Sequence, residues 1–140
     1  MVMITEQYVS FEVAKLLKDK GFPQDDTRIL NTCYKYNGKF CNNVKSMSKV
    51  DREISFMAPT QSLVMRWLRE VHNLFIEIKY GSRFYGGTPS HSIRFEVVYS
   101  SLDDKTSCKN MLKDDYVTEY FNTYEQACES AIKYCLENLI

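Results

Sequence analysis

The stretch LFIEIKY, residues 74–80, alternates apolar and polar side chains, and IRFEVVY, residues 93–99, does much the same. Successive side chains on a β-strand point to opposite faces, so alternation marks a strand with one buried face and one wet face. Leu74, Ile76, Ile78 and Tyr80 share one face, and Ile93, Phe95, Val97 and Tyr99 share the matching one. Two half-buried strands need an apolar cover, and that requirement directs the rest of the reading. Between them, GSRFYGGTPSH (residues 81–91) is rich in glycine and is expected to be a long hairpin connection.

Three helical patterns offer the cover. In TYEQACESAIKYCLENLI (residues 123–140), Tyr124, Ala127, Cys128, Ala131, Ile132, Cys135, Leu136 and Leu139 form one continuous stripe. Thr123 and Gln126 match a capping box, in which each side chain bonds the other's backbone N–H. Residues 10–20 form a second pattern: Ser10 is the expected N-cap, Val13, Ala14, Leu16 and Leu17 recur at helical spacing, and Gly21 then stops the helix. Phe22 is expected to fold back onto Leu17, and Pro23 prevents resumption. The third pattern opens at Thr60 and carries Leu63, Val64, Trp67, Leu68 and Val71 on one side.

A further hairpin is expected over residues 32–43. The strands CYKY and KFCN flank Asn37-Gly38, a strong two-residue turn signal. A two-residue turn would set Tyr34 opposite Cys41 and Cys33 opposite Asn42, with Cys33 and Cys41 on opposite faces. Residues 44–52 are polar and read as a loop, and Glu53–Met57 as a short strand. Residues 101–115 read as irregular, and Tyr116–Phe121 as an edge strand. The expected fold is α+β: one antiparallel sheet of about four to six strands, with three helices packed mainly on one face as a two-layer sandwich. The whole span 1–140 is expected to be a single domain.

The bulk numbers fit that reading and narrow the function little. Of 140 residues, 44% are hydrophobic and 26% charged, which is ordinary for a globular chain. Eighteen basic residues balance eighteen acidic ones, without the basic excess that usually accompanies nucleic-acid binding. The balance is uneven: residues 1–100 hold 14 basic and 10 acidic side chains, and residues 101–140 hold 4 and 8. Five cysteines without a CxxC pair argue against a secreted disulfide scaffold. MVMITEQYVS lacks the charged-then-apolar pattern of a leader, and no apolar run reaches the ~18 residues of a membrane span, so the cytoplasm is the expected location and no membrane partner is expected.

Catalytic chemistry finds little purchase. Cys128 and Cys135 share a helix face but are seven residues apart, and no interleaved His or Asp completes a metal site. They read as buried apolar side chains. His72 ends the third helical pattern, where a protonated imidazole would meet the negative end of the helix dipole. His91 lies between Ser90 and Ser92, without the GxSxG context of a hydrolase elbow. The pairs Asp25-Asp26, Asp103-Asp104 and Asp114-Asp115 fall in turn-like stretches and lack the regular spacing of a calcium loop. Gly81, Gly86 and Gly87 have neither P-loop nor dinucleotide spacing. No catalytic residue, metal ligand or cofactor is assigned.

What stands out is aromatic. Ten tyrosines, eight phenylalanines and one tryptophan make 14% of the chain, and tyrosine is enriched at protein interfaces. The candidate binding residues are Arg83, Phe84 and Tyr85 on the tip of the connection, together with Tyr80.

Three segments carry a family resemblance: YVSFEVAKLLKDKGF, APTQSLVMRWLREVHNLFIEI and TYEQACESAIKYCLENLI. They resemble a family of short proteins encoded in Bacteroides-type gut genomes, often within prophage or other mobile-element regions. The resemblance covers most of the chain outside residues 44–57, 81–92 and 101–115 and implies no reaction or site. The leading expectation is a non-enzymatic interaction or adaptor protein of phage or mobile-element origin, associating with itself or with another protein. The alternative is a nucleic-acid-binding accessory protein, with Lys35, Lys39, Arg83 and Arg94 meeting phosphates and Phe84 and Tyr85 stacking on bases. A small hydrolase centred on His91 is the third reading.

Overall fold

The computed structural model describes residues 4–25, 30–85, 88–100, 108–110 and 121–140. It is α+β, with two antiparallel sheets and four α-helices among the described residues. In chain order these are α1 (Phe11–Asp19), β1 (Cys33–Tyr34), β2 (Phe40–Cys41), α2 (Lys49–Glu53), β3 (Phe56–Met57), α3 (Gln61–His72), β4 (Leu74–Tyr85), β5 (Thr88–Ser100), β6 (Cys108–Asn110) and α4 (Tyr124–Asn138).

The helices start where side-chain chemistry tells them to. Ser10, Thr60 and Thr123 each accept a hydrogen bond from the backbone N–H three residues on, at Val13, Leu63 and Gln126. Each satisfies a donor that the first helical turn leaves without an intrahelical partner. Gln126 reaches back to accept from the Asn122 N–H at 3.3 Å rather than from Thr123. Helix α1 ends in a Schellman arrangement: Phe22 N–H bonds Leu17 O at 2.9 Å and Gly21 N–H bonds Lys18 O at 3.2 Å. Gly21 sits at φ +86°, a left-handed conformation that side chains with a Cβ disfavour. The turn buries Phe22, whose ring meets Trp67 edge-on at 5.2 Å.

The expected single sheet is replaced by two, ordered β2-β1-β3 and β4-β5-β6. The first is made of two-residue strands and receives α1 against β3. Helices α3 and α4 both pack against β4, and α4 also covers β5 and touches α1. One core cluster therefore draws on Val9, Val13, Leu17, Cys33, Met57, Val64, Leu68, Leu74, Val97, Ile132 and Leu136. Burying side chains of this size stabilises by roughly 1.5–3 kcal/mol each. Of the expected α3 stripe, Val64 and Leu68 are buried, Leu63 and Trp67 half-buried, and Val71 exposed.

Three local expectations fail for identifiable reasons. Residues 44–52 are not a loop: a 3₁₀ turn at Val44–Ser46 leads into α2, capped by the Ser48 hydroxyl on Asp51 N–H. The fourth helix comes from this Ser-x-x-Asp capping pattern. The Asn37-Gly38 turn is not the two-residue type I′ turn that Asn-Gly favours, which needs positive φ at both positions. Only Gly38 has it, at +88°. The loop is instead Tyr36-Asn37-Gly38, closed by Gly38 N–H on Lys35 O at 2.8 Å and Lys35 N–H on Lys39 O at 2.9 Å. Every cross-strand partner moves by one residue, so Tyr34 pairs with Phe40 and Cys33 with Cys41. Lastly, the long connection expected over residues 81–91 is ladder: β4 and β5 pair without interruption from Leu74↔Tyr99 to Tyr85↔Thr88.

Of the remaining segments, Cys108–Asn110, expected to be irregular, is instead strand β6 paired with β5, and Phe121 bridges Ile93. The expected strand over residues 116–120 and the acidic pairs at 103–104 and 114–115 lie outside the described residues.

Candidate interaction surfaces

The β4–β5 hairpin outruns its cover. Leu74 is buried and Ile76 and Ile78 half-buried beneath α3 and α4, but Tyr80, next on the same face, is 68% exposed. On the opposite face Phe75 is 40% exposed, beside a charged strip. There Glu77 and Glu96 are direct cross-strand partners, a like-charge juxtaposition that costs stability. Lys79 answers it by pairing with Glu96 at 2.6 Å. Among the described residues β4 is a terminal strand of its sheet, twelve residues long. Terminal strands are the places where a sheet can recruit a further strand.

Of the sequence candidates, Arg83, Phe84 and Tyr85 are residues of this strand rather than of a loop tip, opposite Ser90, Pro89 and Thr88. Tyr80 lies in the same strand, opposite Ile93. The four candidates are thus brought onto one strand. His91 pairs by register with Ser82 on the ladder. Of the basic residues considered for nucleic acid, Lys35 and Lys39 flank the β1–β2 turn, whereas Arg83 and Arg94 belong to the other sheet. No helix among the described residues is long and apolar enough to cross a membrane.

A second surface was not singled out in the sequence. Tyr8, Phe11, Tyr34, Phe40 and Phe56 form a ring cluster with centroid separations of 5.4–5.7 Å. The Tyr34 hydroxyl donates to Val9 O at 2.7 Å. Lys15 lies over the Phe11 ring at 4.6 Å, and Lys18 over Phe56 at 5.1 Å. Tyr8 and Phe40 remain partly exposed. The corrected β1–β2 register assembles this cluster, because it sets Phe40 opposite Tyr34.

His72 is the last residue of α3. Asn73, at φ 55°, supplies the cap by donating its backbone N–H to Leu68 O. The imidazole packs edge-on against Trp67 at 4.5 Å, and its buried Nε2 has no partner among the described residues. Burial pushes its pKa below the ordinary value and favours the neutral ring.

The four cysteines whose side chains are described divide into two kinds. Cys128 and Cys135 are buried in α4 as small apolar side chains, and burial pushes Cys135 up to about 12. Cys33 and Cys41, expected on opposite faces, are neighbours. Burial and the adjacent Cys41 thiol push Cys33 up to about 11. No group of three or more His, Cys, Asp and Glu side chains fit to hold a metal is found among the described residues. Comparison with known protein families, curated proteins and solved structures finds no match to this chain.

Proposed function

We propose that this chain is a non-enzymatic interaction module that pairs with a second copy of itself along strand β4. The observation behind it is the terminal position, among the described residues, of a twelve-residue strand whose Tyr80 and Phe75 are both exposed. Backbone pairing between strand edges supplies affinity, and the side chains on either face set register and specificity. Tyrosine suits such a contact because it adds apolar area and a polar tip. An origin in a phage or other mobile element, and a place in the cytoplasm, rest on the family resemblance and on the cysteine pattern.

The test is solution mass by light scattering after size exclusion, over a range of concentration and salt. The chain weighs 16.4 kDa, and the expected species is twice that. Replacing Phe75 and Tyr80 together with Lys should return it to a monomer with unchanged circular dichroism. A parent chain that stays monomeric at every concentration would sink the proposal, as would a dimer indifferent to both substitutions.

A further inference from the structure

We propose that Cys33, Cys41 and Met47 form a binding site for a thiophilic monovalent metal ion, Cu(I). Three segments bring the sulfurs together. Strand β1 supplies Cys33 and β2 supplies its direct partner Cys41. The 3₁₀ turn supplies Met47, held by its N–H on Val44 O at 3.0 Å. The Cys33 thiol donates to the Met47 thioether at 3.5 Å, and Cys41 is the direct cross-strand partner of Cys33, so the two side chains share a face. With metal–sulfur bonds of ~2.3 Å, three ligands around a trigonal ion stand roughly 4.0 Å apart. Cys33 and Met47, at 3.5 Å, need to spread by about half an ångström to meet that separation.

The donor set selects the metal. Two thiolates and a thioether are soft ligands suited to Cu(I), whereas zinc sites take four ligands, commonly with imidazole or carboxylate among them. Access comes from a groove of about 460 Å³ lined by Cys41, Met47, Ser55 and Lys35 among others. Cys33 itself is fully buried and Cys41 half-buried, so the ion enters from the Cys41 side. Binding releases both thiol protons to solvent and transfers no electrons. The product, one Cu(I) with two thiolates, carries a single negative charge, and Lys35 is the cation whose field reaches Cys33.

The experiment titrates the reduced full chain with Cu(I) under anaerobic conditions, in competition with the chromogenic chelator bicinchoninate. One equivalent should be withdrawn from the chelator, and X-ray absorption should show a first shell of three sulfurs. Cys41→Ser, at a half-exposed position, should lose this uptake while keeping native circular dichroism. Met47→Leu removes a ligand, so it should weaken uptake by at least the roughly tenfold that loss of an outer-shell partner costs. Cys108→Ser and Cys128→Ala, which remove thiols outside the site, should leave it unchanged. The proposal is overturned if the parent withdraws no Cu(I), if Cys41→Ser binds like the parent, or if either outside substitution abolishes uptake.

Discussion

Replacing Gly21 with Ala tests whether the end of α1 holds the core together. Gly21 has φ +86°, and a Cβ built there meets nothing within 4 Å. The cost is therefore backbone strain alone, roughly 1–2 kcal/mol for an L-residue forced into the left-handed region. Asn tolerates that region better than Ala, as Asn73 does in this chain at φ 55°. The expected order of stability is Gly, then Asn, then Ala. Taking ~1.5–2 kcal/mol per molar urea for a chain of this size, the Ala variant should lose roughly 0.5–1.3 M from its midpoint. Trp67 is the single tryptophan and touches Phe22, the residue after Gly21, so its emission reports both the transition and the seating of Phe22. An unchanged midpoint for Gly21→Ala, or Asn and Ala variants of equal stability, would refute the reasoning, because either would mean that the left-handed turn is not required.

Thr123→Ala should cost about 1 kcal/mol through loss of the α4 cap, measured by urea unfolding, with Thr123→Ser restoring most of it. Lower pH should destabilise the fold through His72: its folded-state pKa lies below the ordinary 6.5, so the neutral ring's contribution is complete above about pH 6.5 and declines below it. His72→Phe should flatten that part of the profile; an unchanged slope would assign the pH dependence to other groups. Among Cys33, Cys41, Cys128 and Cys135, Cys41 should be alkylated first by iodoacetamide, read peptide by peptide in a mass spectrometer. Burial pushes Cys33 to about 11 and Cys135 to about 12, leaving little thiolate at neutral pH. Equal labelling of Cys41 and Cys135 would contradict the burial described for α4.

The elements that could be read from the sequence are those whose signals are local. Ser10, Thr60 and Thr123 announce their helices because an N-cap needs only its own side chain and the next turn. Alternation over residues 74–80 and 93–99 marked β4 and β5 but not their length. Glycines and a proline between them resemble punctuation, yet the pairing between strands carries the ladder through Gly81 and Pro89. The register at Asn37-Gly38 was misread because sequence gives the turn residues and not the φ of each one. That single residue of offset hid both the aromatic cluster and the neighbouring thiols. Ser48 and Asp51 did carry a capping signal, masked by the polar composition around them. Arg83, Phe84, Tyr85 and Tyr80 were legible as a group, but as a tip rather than as a strand.

The contact between α1 and α4 sets the order in which this molecule can be completed. Ser10 N–H bonds the Glu129 carboxylate at 2.9 Å, and Glu12 pairs with Lys133 at 2.9 Å, joining segments more than a hundred residues apart. Ala131, Ile132, Cys135 and Leu136 lie in the same core as Val9, Val13 and Leu17. Of the described elements, α4 leaves the ribosome last. Until it arrives, β5, the part of β4 that α3 does not reach and one side of α1 lack their cover, and closing so long a loop slows the final step. The nascent chain therefore passes through a stage that displays a long, paired and partly apolar hairpin, the stage at which chaperone binding, or premature pairing with another chain, has its opportunity.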